Sequence, residues 1–270
     1  MSVREIVHRF AELVCRQGNV RQVYAIGSAG QDSADEHSDI DLLAICSKRP
    51  SASSRLRHYR QNVPGLLDFH TFNLKSWEFG TSDSFVFDGR PLCIMYYTDA
   101  ELDEKINEIT QGDGQPLGFY YPTGFLSALG GARLIAGTGS EREQRRFSQF
   151  AVFPQGLLQR VRQRSRLQLK YFLDAASVGL RREDHFFAQQ CLLHLREAAL
   201  SLTFATARRY RVSDKRMMRE LKQCEAKVPE PLMSLAMKLF ILSDFAPDTM
   251  RTTIAQLAPL ISSTEEALCR

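Results

Sequence analysis

A chain of 270 residues fits about two domains, and 44% hydrophobic with 24% charged residues excludes disordered, collagen-like and coiled-coil chains. The net charge of +4 is unevenly spread: residues 1–150 hold 16 Lys and Arg against 19 Asp and Glu, net −3, whereas residues 151–270 hold 19 against 12, net +7. Either the halves bring a cation site and an anion-holding surface together, or both are solvated faces. The chain then opens with a helix. Ser2 and Glu5 make a capping box, and Ile6, Val7, Phe10, Leu13 and Val14 recur at helical spacing until Gly18. A short buried strand over 23–26 ends at Gly27-Ser28, and a polar stretch over 29–38 leads into a strand over 39–46. A helix over 53–62 and a strand over 67–72 come next, and strands 85–87 and 91–97 flank the Asp88-Gly89 turn signal. Helices over 99–110 and 123–129 and a strand over 133–136 complete this region.

After about residue 150 strand signals vanish. Helical patterns run over 157–178, 183–210, 214–226, 231–243 and 247–261, punctuated by Pro229, Pro231 and Pro247. The expected organisation is α+β, with domain 1–150 mixing strands and helices and domain 151–270 an all-α bundle. No stretch reaches the roughly 18 apolar residues of a membrane span, since Lys238 breaks 233–242, and no basic-then-apolar leader opens the chain. The six cysteines form no CxxC pair and read as free thiols of a reducing compartment, which makes the cytoplasm the expected location.

The stretch that carries chemistry is Gly27-Ser28, ten residues, then Asp39-Ile40-Asp41-Leu42. Residues two apart on a strand share a face about 6.6 Å apart, so Asp39 and Asp41 project side by side and repel each other. A divalent metal resolves that repulsion, and Mg²⁺ held by two carboxylates in turn holds a polyphosphate. Gly27 lets a ligand approach the backbone, and Ser28 offers a hydroxyl and an amide. Asp68, in the apolar pattern Leu66-Leu67-Asp68-Phe69-His70, is a third carboxylate. Beside the pair it would be a metal ligand or accept the proton of an attacking hydroxyl; otherwise it caps a turn or pairs with an arginine. His70, two residues on, reads as a packed histidine, and Asp32, Asp35 and Glu36 as a hydrated loop. The run Arg160, Arg162, Arg164, Arg166 scatters its charge around a helix without interleaved aromatics, which argues against nucleic acid as a partner.

With these residues the chain resembles the DNA polymerase beta-like nucleotidyltransferase superfamily. The wording Gly27-Ser28-Ala29…His37-Ser38-Asp39-Ile40-Asp41-Leu42-Leu43 is most similar to its bacterial small-molecule branch, which includes the kanamycin and streptomycin adenylyltransferases. The resemblance spans about 22–75 and extends in layout to about 140. It implies a mixed β-sheet backed by helices, with a helical domain closing over the nucleotide. In the helical half, 196–210 followed by Arg211-Val212-Ser213-Asp214-Lys215 resembles the Ser-x-Lys helix start of the streptomycin-type enzymes, where the lysine holds nucleotide phosphates. Ser213 as N-cap would place Lys215 and Arg216 in a first helical turn, a position that disfavours cations unless an anion is near; a plain surface lysine is the other reading.

The expected activity is Mg²⁺-dependent transfer of a nucleoside monophosphate, AMP from ATP, to a hydroxyl of a small molecule, with release of pyrophosphate. Asp39, Asp41 and Asp68 would hold metal and carry the catalysis, and Gly27, Ser28 and Lys215 would bind the nucleotide. Two alternatives are a protein-modifying or antitoxin-like nucleotidyltransferase and a non-catalytic nucleotide-binding module. Minimal proteins of the first kind are shorter, and the second would be expected to lose a metal carboxylate, which this chain keeps.

Overall fold

Ser2 starts the first helix by the reciprocal bonding its spacing predicts. The Glu5 amide donates to the Ser2 hydroxyl at 3.3 Å and the Ser2 amide donates to Glu5 Oε2 at 2.7 Å, launching α1 (Val3–Cys15). Ile6, Val7, Phe10 and Val14 make its buried stripe. The structure, a computed structural model, describes residues 1–31, 34, 38–64, 66–72, 80–112, 120–139 and 141–269. Two compact units divide the chain, Met1–Val152 and Phe153–Arg270.

In the first unit α1 is followed by β1 (Val20–Ile26), a one-turn helix α2 (Gly27–Gly30), β2 (Ile40–Cys46), α3 (Ala52–Asn62), β3 (Leu67–Phe72), β4 (Thr81–Phe87) and β5 (Arg90–Thr98). Then come α4 (Asp99–Gln111), α5 (Pro122–Gly130), β6 (Arg133–Gly137) and α6 (Glu141–Ser148). The six strands form one mixed sheet in the order β3-β4-β5-β2-β1-β6; β2 and β5 are parallel and every other neighbouring pair is antiparallel. Asp88 and Gly89, at φ 52° and 73°, make the two-residue turn joining β4 to β5.

One face of the sheet presents Val23, Ala25, Leu42, Ala44, Ile94 and Phe85 to α1 and to Tyr59 of α3, forming the main core. A buried ion pair lies within it: Arg55 Nε of α3 meets Asp83 Oδ2 of β4 at 2.8 Å, both side chains sealed from solvent. Arg55 also donates to the Pro50 carbonyl at 2.7 Å and to Thr71 Oγ1 at 2.6 Å, and stands 4.9 Å from the centre of the Tyr96 ring. Nothing in hydrophobic periodicity marks this pair, and sequence reasoning missed it. Helix α6 was missed for a related reason. Its sequence Glu141–Ser148 is almost wholly polar, and it is anchored by buried Phe147 and by Arg146, which pairs with Asp99 at 3.1 Å and Asp103 at 2.6 Å.

The second unit is helical: α7 (Gln155–Arg181), α8 (His185–Thr206), α9 (Met217–Lys222), a 3-10 turn at Glu225–Lys227, α10 (Glu230–Phe240) and α11 (Pro247–Cys269). Asp184 caps α8 by accepting the Phe187 amide at 3.0 Å. Leu169, Leu192, Leu195, Leu202, Leu235 and Leu257 fill its core. The chain is thus α+β, a mixed sheet with flanking helices followed by a helical region. All six cysteines are free thiols, and no described helix is long and apolar enough to cross a membrane.

Candidate functional site

The register of β1 against β2 sets Ile26 opposite Asp41. Immediately beyond Ile26 the chain turns at Gly27 with φ 60°, a conformation that L side chains rarely adopt. A Cβ on Gly27 would stand 3.2 Å from Asp41 Oδ2, so glycine suits the turn and leaves the carboxylate room to come close. The turn continues as α2, with Ser28 half-buried. Sheet pairing therefore brings Gly27-Ser28 beside Asp41, although Asp41 lies fourteen residues along the chain from Gly27. Asp41 is half-buried on β2, and Asp39 is exposed, one residue before the strand begins at Ile40.

Beyond Asp41 the same sheet face continues across neighbouring strands. Asp41 pairs with Cys93 of β5, Cys93 with Ser84 of β4, and Ser84 with His70 of β3, so the four residues form one cross-strand row. His70 is exposed, and Ser84 and Cys93 are half-buried. The Cys93 thiol is pushed well above its ordinary pKa, first by burial and then by the negative charges of Asp41, Asp83 and Asp39. Sequence reasoning read 91–97 as a strand but did not single out Cys93 or Ser84, because which strand β5 would pair with is not written in its own residues.

Asp68 is not brought beside the pair. Strands β4 and β5 separate β3 from β2, and three steps of about 4.8 Å set Asp68 roughly 14 Å across the sheet from Asp41. Regular alternation would put Asp68 and His70, two residues apart, on one face of β3, and that alternation is broken. Leu67 pairs with Val86 and His70 with Ser84, so Asp68 and Phe69 together face the single position Phe85, a β-bulge. Phe69 stacks on Phe85 with ring centres 6.0 Å apart, while Asp68 takes φ 50° and is exposed. Among the described residues no three His, Cys, Asp or Glu side chains converge on a common point able to hold a metal ion. The carboxylates that the sequence pattern joins to the Gly27 turn are Asp41 on β2 and Asp39 just before it. Such residues suit Mg²⁺, which is commonly bound by one or two carboxylates together with substrate phosphates and water.

Lys215 also sits otherwise than expected. Helix α9 begins at Met217, and its N-cap is Arg216 in a left-handed conformation at φ 58°, so Lys215 precedes the helix. Buried Arg211 is the cause: it pairs with Glu197 at 2.8 Å and Asp214 at 3.2 Å and holds 211–214 out of helix. Ser213 instead accepts the Lys215 amide at 3.2 Å, a local turn in place of a cap. Asp32, Asp35, Glu36 and His37 lie outside the described residues. On α7, Arg160 and Arg164 are exposed and Arg162 and Arg166 half-buried, so the run does not form one stripe.

No family model matches the chain, and no curated protein matches it. Among solved structures it is similar to a nucleotidyltransferase-like protein from Exiguobacterium sibiricum, with a TM-score of 0.49 and 10% identity over 96% of this chain and 73% of that one. At that level it is a likeness only, and the chemistry rests on the residues above.

Proposed function

We propose that the first unit is a Mg²⁺-dependent nucleotidyltransferase that moves AMP from ATP to a hydroxyl of a small molecule and releases pyrophosphate. The observation that carries this reading is the approach of Gly27 to Asp41, which sets a glycine turn beside a carboxylate. Asp39 and Asp41 would hold the metal. When bound, Mg²⁺ supplies charge neutralisation at the transferring phosphoryl group.

The remaining roles belong to the chain. Gly27 leaves the backbone open to the β and γ phosphates, and Ser28 directs its amide and hydroxyl toward them. As in phosphoryl transfer generally, the work is positioning and electrostatic stabilisation, for which a turn and a strand register fixed by the sheet are well suited. Asp68, roughly 14 Å across the sheet, stands outside this ligand set. A cytoplasmic enzyme acting on a small acceptor is consistent with the free thiols.

The test is pyrophosphate release from ATP and, separately, GTP, with Mg²⁺, against pooled hydroxyl compounds. Release that needs Mg²⁺ and an acceptor, with transfer of nucleotide mass to that acceptor, is the expected result. Failure of ATP·Mg²⁺ and GTP·Mg²⁺ to bind at all would refute the proposal.

A further inference from the structure

On the side away from Asp41, the Gly27–Gly30 turn is seated on the loop that joins α5 to β6. A Cβ at Gly30 would lie 2.6 Å from the Ala25 carbonyl oxygen and 2.6 Å from that of Gly131, so backbone meets backbone there without room for a methyl group. A Cβ at Gly131 would lie 2.7 Å from Gln31 Cγ, the residue that closes the turn through its amide bond to the Gly27 carbonyl at 3.2 Å. Arg133, the first residue of β6, donates from Nη2 to the Ala29 carbonyl at 3.4 Å. The turn is thus clamped from two sides, by Asp41 at Gly27 and by the α5–β6 loop at Gly30, Gln31 and Ala29.

We infer that Gly30 and Gly131 are positioning residues for nucleotide binding: their backbone contact sets how far Ser28 stands from the Asp39 and Asp41 pair. This rests on the nucleotidyltransferase reading for its ligand, though not for its geometry. Neither residue touches the phosphates in this account. They act through the placement of the turn, and a displacement of about 1 Å at a reacting centre can lower rates by about 10²-fold. Because Gly30 is enclosed by two carbonyls, Gly30→Ala has nowhere to expand except by moving the turn. Gly131→Ala meets a side chain instead, so its effect can be relieved by shortening that side chain.

The experiment compares wild type with Gly131→Ala, the double variant Gly131→Ala/Gln31→Ala, and Gly18→Ala, where nothing lies within 4 Å of the added Cβ. ATP·Mg²⁺ is titrated calorimetrically into each, melting is followed in parallel, and the Ser28 and Ala29 amide resonances are read without nucleotide. Gly131→Ala should weaken ATP·Mg²⁺ binding about tenfold and shift both amides. The double variant should recover both, and Gly18→Ala should change neither. Melting temperature should not track the loss and recovery of affinity. Unmoved amides in Gly131→Ala, or a loss of affinity that Gln31→Ala does not repair, would overturn the inference. If wild type binds no ATP·Mg²⁺, the function proposal fails, while the amide shifts and their reversal still decide whether Gly131 positions the turn.

Discussion

Replacing Arg55 with methionine removes the cation that lies against Asp83 in the core of the first unit. Asp83 is sealed from solvent and Arg55 meets it at 2.8 Å, while the other guanidinium nitrogens bond the Pro50 carbonyl and Thr71. Breaking a buried pair from one side costs about 3–5 kcal/mol, because a carboxylate remains without its counter-charge. At about 2–4 °C per kcal/mol for units of this size, melting should fall by about 6–20 °C at neutral pH. The deficit should depend on pH. Burial already holds the Asp83 pKa above 3.8 despite the opposing pull of Arg55, and loss of Arg55 raises it further. A raised folded-state carboxylate pKa means that the folded chain keeps its proton longer than the unfolded chain does. Stability therefore falls as pH rises from 3.8 through the raised value, and Arg55→Met should be closest to wild type at the acid end of that window. Replacing both residues, as Arg55→Met/Asp83→Leu, should restore much of the loss, since packed apolar groups can substitute for a buried pair. Differential scanning calorimetry between pH 4 and 8 reads all three. An Arg55→Met protein that melts like wild type at pH 7, or a double variant no better than the single, would refute the argument.

Two further outcomes concern the site. Asp41→Asn should abolish Mg²⁺-dependent pyrophosphate release while leaving the circular dichroism spectrum intact; turnover near the wild-type rate would remove Asp41 from the metal site. Asp68→Asn should leave ATP·Mg²⁺ affinity unchanged, given its separation from the pair across β4 and β5, and a large loss in calorimetric titration would return it to the ligand set.

Features that live within a few neighbouring residues were legible in the sequence. The Ser2 and Glu5 capping box, the stripe of α1, the Asp88-Gly89 hairpin, and the change from mixed elements to helices near residue 150 each depend on hydrogen bonds or periodicities spanning one or two turns of chain. The turn at Gly27-Ser28 was legible for the same reason, whereas the strand that carries Asp41 begins at Ile40 and leaves Asp39 just outside it. What tertiary structure alone decided is which distant segments became neighbours. Strand order depends on the summed burial of side chains from the whole unit, so nothing local in 90–98 announces that β5 will lie against β2 and set Cys93 beside Asp41. One extra residue in β3 overturned the alternation that had put Asp68 and His70 together, because strand facing has a period of two and a bulge interrupts it. At Lys215, a buried arginine paired with Glu197, fourteen residues away, and with neighbouring Asp214 outweighed the serine that would otherwise have capped a helix. The Arg55–Asp83 pair was invisible for the complementary reason: a charge belongs in a core only when its partner arrives there too, and that arrival is a property of the fold.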